Sequence, residues 1–187
     1  VPGADHERLT RLLRYLRQTI DDRAQRYSRA SAATVTEYRN LAKAPDEPRV
    51  IVLVDGLTAF CAAYETGGGA RWMDLFTSLA ADGRPVGVHF VISVDQRAGM
   101  PSALASAVQS RVVLRMAHPD DYGFLGVAGD VLSTASPPGR GLLNGAEIQC
   151  AVLGGTSEVM AQALAVGALG AAMRSHGPTR PKGWVGQ

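Results

Sequence analysis

One stretch constrains the fold of this chain more than any other: Arg49-Val50-Ile51-Val52-Leu53-Val54-Asp55-Gly56. Residues 50–54 are all apolar and four of the five are β-branched, which suits a pleated strand. The run does not alternate with polar residues, so it is expected to be covered on both faces, as in the middle of a parallel sheet. Val88-His89-Phe90-Val91-Ile92-Ser93-Val94 has the same character, and Arg111-Val112-Val113-Leu114-Arg115-Met116 reads as a third strand.

Helical patterns separate these runs. Leu9, Leu12, Leu13, Leu16 and Ile20 recur at helical spacing, which predicts a helix over residues 5–28 with Asp5 as its N-cap. Its other face, with Arg11, Arg14, Asp21, Asp22 and Arg26, reads as solvated. Further helices are expected over 36–42, 57–65, 70–82, 101–109 and from His118 to near Gly126. Trp72, Leu75, Phe76 and Leu79 share one side of the helix at 70–82, and Gly67-Gly68-Gly69 breaks the chain before it. After a Gly-, Ser- and Pro-rich loop over 127–140, Asn144-Gly145 stands between apolar runs, a strong hairpin signal. A last helix, capped by Thr156 or Ser157, is expected to run to about residue 174, with Val159, Met160, Ala163, Leu164, Val166 and Met173 toward the core. Strands alternating with helices predict an α/β fold of three layers around a mostly parallel sheet, with a C-terminal β-hairpin. Residues 4–175 form the expected module and 176–187 a Pro- and Gly-rich tail. Ligands of such sheets bind beyond the carboxyl ends of the strands. That draws attention to Asp55-Gly56, Asp95-Gln96-Arg97 and Ala117-His118.

Charge and composition narrow the function. Nineteen Lys and Arg against seventeen Asp and Glu give +2, too balanced to argue for nucleic acid on charge alone. No run of about 18 apolar residues suggests a membrane helix. Cys61 and Cys150 sit in apolar stretches and read as buried thiols of a reducing compartment. The four histidines show no metal-ligand spacing, and His89, inside a strand, reads as a core residue. No Ser or Cys nucleophile elbow supports an unrelated α/β enzyme with Asp55 and His118 in a cleft.

An apolar strand ending in Asp has the form of a Walker B motif, whose carboxylate faces Mg²⁺ at a nucleotide phosphate. The order of the other segments adds to it. Ile20-Asp21-Asp22-Arg23-Ala24 ends the first helix, and Glu37-Tyr38-Arg39-Asn40 follows before the strand that ends at Asp55. A helix then leads through Asp82-Gly83-Arg84-Pro85 to His89 and on to Asp95-Gln96-Arg97. Ser110-Arg111, Asp120-Asp121-Tyr122, Pro138-Gly139-Arg140-Gly141-Leu142 and Glu147-Ile148-Gln149 complete the series. In this order, residues 4–155 resemble the later half of the FtsK/SpoIIIE family of P-loop ATPases. The resemblance implies a RecA-like, P-loop-NTPase-like module lacking the first strands, from a motor that binds ATP and Mg²⁺. Such motors move DNA, in cell division and chromosome partitioning, or secreted protein, as the EccC-type ATPases of type VII secretion do. It further implies that Asp55 is the Mg²⁺-side carboxylate, Gln96 the sensor of the γ-phosphate, and Arg140 an arginine finger acting on a neighbour, with Arg97 and Arg111 as alternatives. The partners it implies are further copies or sister modules, with DNA or a secreted protein as cargo. The place it implies is the cytoplasmic face of a membrane, reached through other parts of the parent protein.

Two departures from the family pattern bear on activity. No GxxxxGK[ST] occurs, so this chain has no phosphate-cradling loop of that kind. Gly56 stands where the family has a carboxylate for hydrolysis, and glycine cannot position a water. The segment between Asp55 and Leu75 carries Arg71 as its one cation, little with which to grip DNA. The expectation is therefore a module that hydrolyses poorly or not at all, with a competing reading as an interaction module for a secretion-signal peptide or a neighbouring module.

Overall fold

The computed structural model describes residues 5–64, 69–95 and 100–176. The elements run α1 (His6–Arg29), α2 (Val35–Leu41), β1 (Val50–Val54), α3 (Leu57–Tyr64), α4 (Ala70–Asp82), β2 (Val88–Ile92), α5 (Ser102–Ala107), β3 (Val112–Leu114), α6 (Asp120–Phe124), β4 (Arg140–Leu143), β5 (Ala146–Gln149) and α7 (Val159–His176). The chain divides into two compact units between Gln109 and Ser110.

In the first unit β1 and β2 pair in parallel, with Val50 opposite Val88 and Val54 opposite Ile92. Leu13, Leu16 and Ile20 of α1, Leu57, Phe60 and Tyr64 of α3, and Met73, Phe76 and Leu79 of α4 form its core. Val50, Val52, Val54, Phe90 and Ile92 pack against that core from the sheet. The Asp5 carboxylate accepts from the Arg8 amide at 3.0 Å, as the cap expectation requires. The two runs expected to be covered on both faces are, among the described residues, covered mainly on one. Ile51 and Val91 are exposed and Leu53 is 74% exposed, whereas the described helices pack on the side of Val50, Val52, Val54, Phe90 and Ile92. His89, expected to be a satisfied core residue, has its Nε2 shut away from solvent with no hydrogen-bond partner among the described residues.

A buried ionic knot fixes α1 on this unit. Glu47, just before β1, takes two hydrogen bonds from Arg26, at 2.9 and 3.0 Å, and lies 3.3 Å from the Arg23 Nε. Arg23 is only 5% exposed and also donates to the Val86 carbonyl ahead of β2. Arg26 therefore belongs to this knot, not simply to the solvated face that the pattern predicts. Tyr27 stacks on Tyr38, and Arg39 donates to the Glu47 carbonyl, which draws in α2. The Arg26 bonds hold the Glu47 carboxyl below its ordinary range, against the opposing effect of burial.

The second unit has a different sheet. Its strand order is β3-β4-β5, antiparallel throughout, with Val113 opposite Leu142 and Gly141 opposite Ile148. The single mostly parallel sheet of the sequence reading is thus, among the described residues, a two-stranded parallel sheet and a three-stranded antiparallel one. The third run, only three residues long as a strand, finds its partner in the hairpin that follows it. Asn144 and Gly145 both have positive φ, 52° and 82°, the backbone of a type I′ turn. Val113, Tyr122, Leu132 and Leu142 make a small core.

The largest correction concerns α7. The residues expected to face a core are all exposed, and no residue of the helix is buried. Its first turn is capped by Glu158, whose carboxylate accepts from the Met160 and Ala161 amides, instead of by Thr156 or Ser157. Cys61 is buried as expected, whereas Cys150 is exposed.

Candidate functional site

The parallel register builds the site. With Val54 opposite Ile92, the residues that leave the sheet next, Asp55 and Ser93, emerge side by side at the carboxyl ends of β1 and β2. The Ser93 hydroxyl donates to the Asp55 carboxylate at 2.5 Å and accepts from the Gly56 amide at 2.9 Å. The backbone continues the coupling, since the Ser93 amide donates to the Val54 carbonyl and the Leu57 amide to the Ser93 carbonyl. One residue further into α3, the Thr58 hydroxyl donates to the Asp95 carboxylate at 2.5 Å. Two carboxylates and two hydroxyls therefore converge where the chain turns from β1 into α3.

Gly56 allows this turn. Its φ is +74°, a conformation that a side-chain-bearing residue adopts at a cost. A Cβ there would meet nothing within 4 Å, so the constraint comes from the backbone alone.

Asp55, Ser93 and Asp95 are exposed, so the cluster is open to a ligand. Its donors are all hard oxygens, the kind that Mg²⁺ takes. No group of three or more His, Cys, Asp or Glu able to hold a metal occurs among the described residues. A cation at Asp55 would have to bring part of its coordination with it, in water or phosphate oxygens.

The other sequence candidates are placed as follows. Gln96 and Arg97 lie outside the described residues. Arg140 opens β4 in the second unit, where its guanidinium bridges Glu147 and bonds Gln149 Oε1 at 3.0 Å. These partners are residues of the facing strand β5. Arg111 stands exposed just before β3. Sequence reasoning singled out Asp55 but passed over Ser93 and Thr58 as site residues. The signal for Ser93 was present: both apolar runs end in a small polar residue, and a parallel register brings those ends together.

The sequence matches no protein-family profile and no curated protein. Two solved structures are similar. One is EccC from Thermomonospora curvata, ATPases 2 and 3 in complex with a signal sequence peptide, with a TM-score of 0.76 and 21% identity over 96% of this chain. The other is EssC from Geobacillus thermodenitrificans, also ATPases 2 and 3, with a TM-score of 0.72 and 16% identity over 94% of this chain. The chain spans 33% of the length of each. The fold is thus that of an ATPase domain of these proteins.

Proposed function

We propose that this chain is a module of a type VII secretion-type, FtsK/SpoIIIE-like motor, and that it works by engaging a protein partner, not by hydrolysing ATP itself. The observation that carries this reading is Gly56. It holds the turn after Asp55 in a left-handed conformation, at the place where a hydrolytic module of the family would present a carboxylate. The likeness to the EccC and EssC ATPase domains supports the secretion side of the family over the DNA side, and the small positive charge between Asp55 and Leu75 agrees. The signal sequence peptide bound to the EccC structure supports a segment of a secreted protein, or a sister module, as the kind of partner. In the parent protein we place the module at the cytoplasmic face of a membrane. No helix among the described residues is long and apolar enough to cross one.

Asp55 and Ser93 offer a residual nucleotide site. The carboxylate would face a Mg²⁺ ion brought by a nucleotide, and the Ser93 hydroxyl would hold that carboxylate in place. The cation would supply neutralisation of phosphate charge. Nothing in the sequence supplies a GxxxxGK[ST] cradle for the phosphates, so Mg-ATP should bind this chain no tighter than the millimolar range. Isothermal titration of the chain with Mg-ATP, with Asp55→Ala as control, tests this. Micromolar binding abolished by Asp55→Ala would overturn the non-nucleotide reading, and the cluster would then be a working Mg²⁺ site with Arg140 and Gln96 as the next residues to substitute.

A further inference from the structure

We propose that Arg14 of α1 and Arg71 of α4, held over the Trp72 indole, form a binding site for a phosphate monoester dianion. This inference does not depend on the function proposed above. The guanidinium carbon of Arg14 lies 5.0 Å from the centroid of the Trp72 ring, and that of Arg71 lies 4.7 Å from it. The two cations are therefore within about 10 Å of one another, each in cation–π range of the same ring. Both arginines are exposed, whereas the indole is half-buried and packs against the core of the first unit. The ring is thus a fixed platform for two guanidiniums and not a free stacking surface for a nucleobase.

Neither cation has a carboxylate. Along α1, Arg8 pairs with Asp5, Arg11 with Glu7, and Arg17 with both Asp21 and Asp82. Among the described residues Arg14 and Arg71 have no ion pair, and Asp74, one turn along α4 from Arg71, pairs with neither. Arg71 lies in the first turn of α4, where no acidic residue stands, so the helix dipole adds to its positive field instead of offsetting it. Two like charges this close are only partly screened, the screening length being about 8 Å in physiological salt. An anion held between them removes their repulsion.

The chemistry of the pair selects the anion. A guanidinium is a planar fork of N–H donors that fits carboxylate and phosphate oxygens. A carboxylate brings a single charge, and so does each phosphodiester of a nucleic acid. A phosphate monoester brings nearly two charges and three acceptor oxygens on one centre at neutral pH, which matches two forks. Stacking on the indole has already restricted the two long side chains, so less rotamer freedom is left to lose on binding. Such a group is carried by free metabolites and by lipid headgroups, and the two sources are separable by experiment.

Titration of the full chain with glycerol 3-phosphate, at fixed ionic strength and with EDTA present so that no Mg²⁺ engages Asp55, tests the proposal. A Trp184→Phe background leaves Trp72 as the one tryptophan. Its emission and the Nε–H chemical shifts of Arg14 and Arg71 should change and saturate in the low millimolar range. Arg14→Gln and Arg71→Gln should each weaken binding by about tenfold or more. Their circular dichroism should match the parent, since both side chains are exposed. Arg29→Gln, at the far end of α1, should bind as the parent does. Acetate and dimethyl phosphate, both monoanions, should bind at least about tenfold more weakly than the dianion. A second arm offers phosphatidylcholine vesicles carrying phosphatidic acid. Sedimentation with these vesicles that Arg14→Gln abolishes makes the source a lipid headgroup, and free binding without sedimentation makes it a soluble metabolite. No saturable change with either source overturns the proposal. So does binding that survives both arginine substitutions, binding lost equally in Arg29→Gln, or binding as tight for dimethyl phosphate as for glycerol 3-phosphate.

Discussion

Single residues set the candidate site and its support. Gly56→Ala should destabilise the first unit by about 1–2 kcal/mol, the cost of an L-residue in the left-handed region, because its Cβ meets nothing and no clash adds to it. A thermal melt measures this, and a loss much above that range would mean that the turn is more tightly packed than its geometry indicates. Glu47 is the more sensitive position. Glu47→Gln leaves the buried Arg23 without its carboxylate, and removing one member of a buried ion pair costs roughly 3–5 kcal/mol, so its urea midpoint should fall well below that of the parent. The pH dependence follows from the lowered carboxyl pKa of Glu47. A group depressed in the folded state stabilises above its unfolded pKa and stops doing so as pH falls through its folded one. The parent should therefore lose this contribution on acidification, and Glu47→Gln should show a flatter acid-denaturation profile. Asp55 was legible in the sequence because a carboxylate after an apolar strand is a local pattern. The Glu47 knot was not, since its partners Arg23, Arg26 and Val86 lie 20 or more residues away in sequence and nothing local announces them.

At the scale of elements, the helices were read best. The cap of α1, its buried stripe and the hairpin turn at Asn144-Gly145 are written in neighbouring residues, and the structure has all three. Hydrophobic period reports which residues are apolar but not what will cover them, which is why β1, β2 and α7 were assigned cover that they lack. Pairing was equally hidden: the short β3 gave no hint that it would join the hairpin. The hairpin itself offers a test. Gly145→Val puts a β-branched residue at φ 82° and should cost the second unit about 2 kcal/mol. Chemical shifts of β4 and β5 should then move toward random-coil values while those of β1 and β2 stay in place.

For the whole molecule, the two units differ in the size of their cores. The first buries residues from α1, α2, α3, α4, α5, β2 and the segments just before α2 and β2, whereas the second is built around Val113, Tyr122, Leu132 and Leu142. Few buried contacts mean a low opening free energy. Limited proteolysis should therefore cut within residues 110–176 first and leave a fragment ending near Gln109; a first cut within α1 or α4 would contradict this. The parallel pairing of β1 with β2 has a last consequence, in the clock of amide exchange. Val50 donates to Gly87 and Ser93 to Val54, so along each strand alternate amides point into the pair and the others point away. Those of Ile51 and Leu53 face one outer edge and those of Phe90 and Ile92 the other. In this chain all four should trade their protons for deuterium far sooner than their immediate neighbours. Slowing at Ile51 and Leu53, or at Phe90 and Ile92, would then report which edge of the sheet another strand has come to occupy.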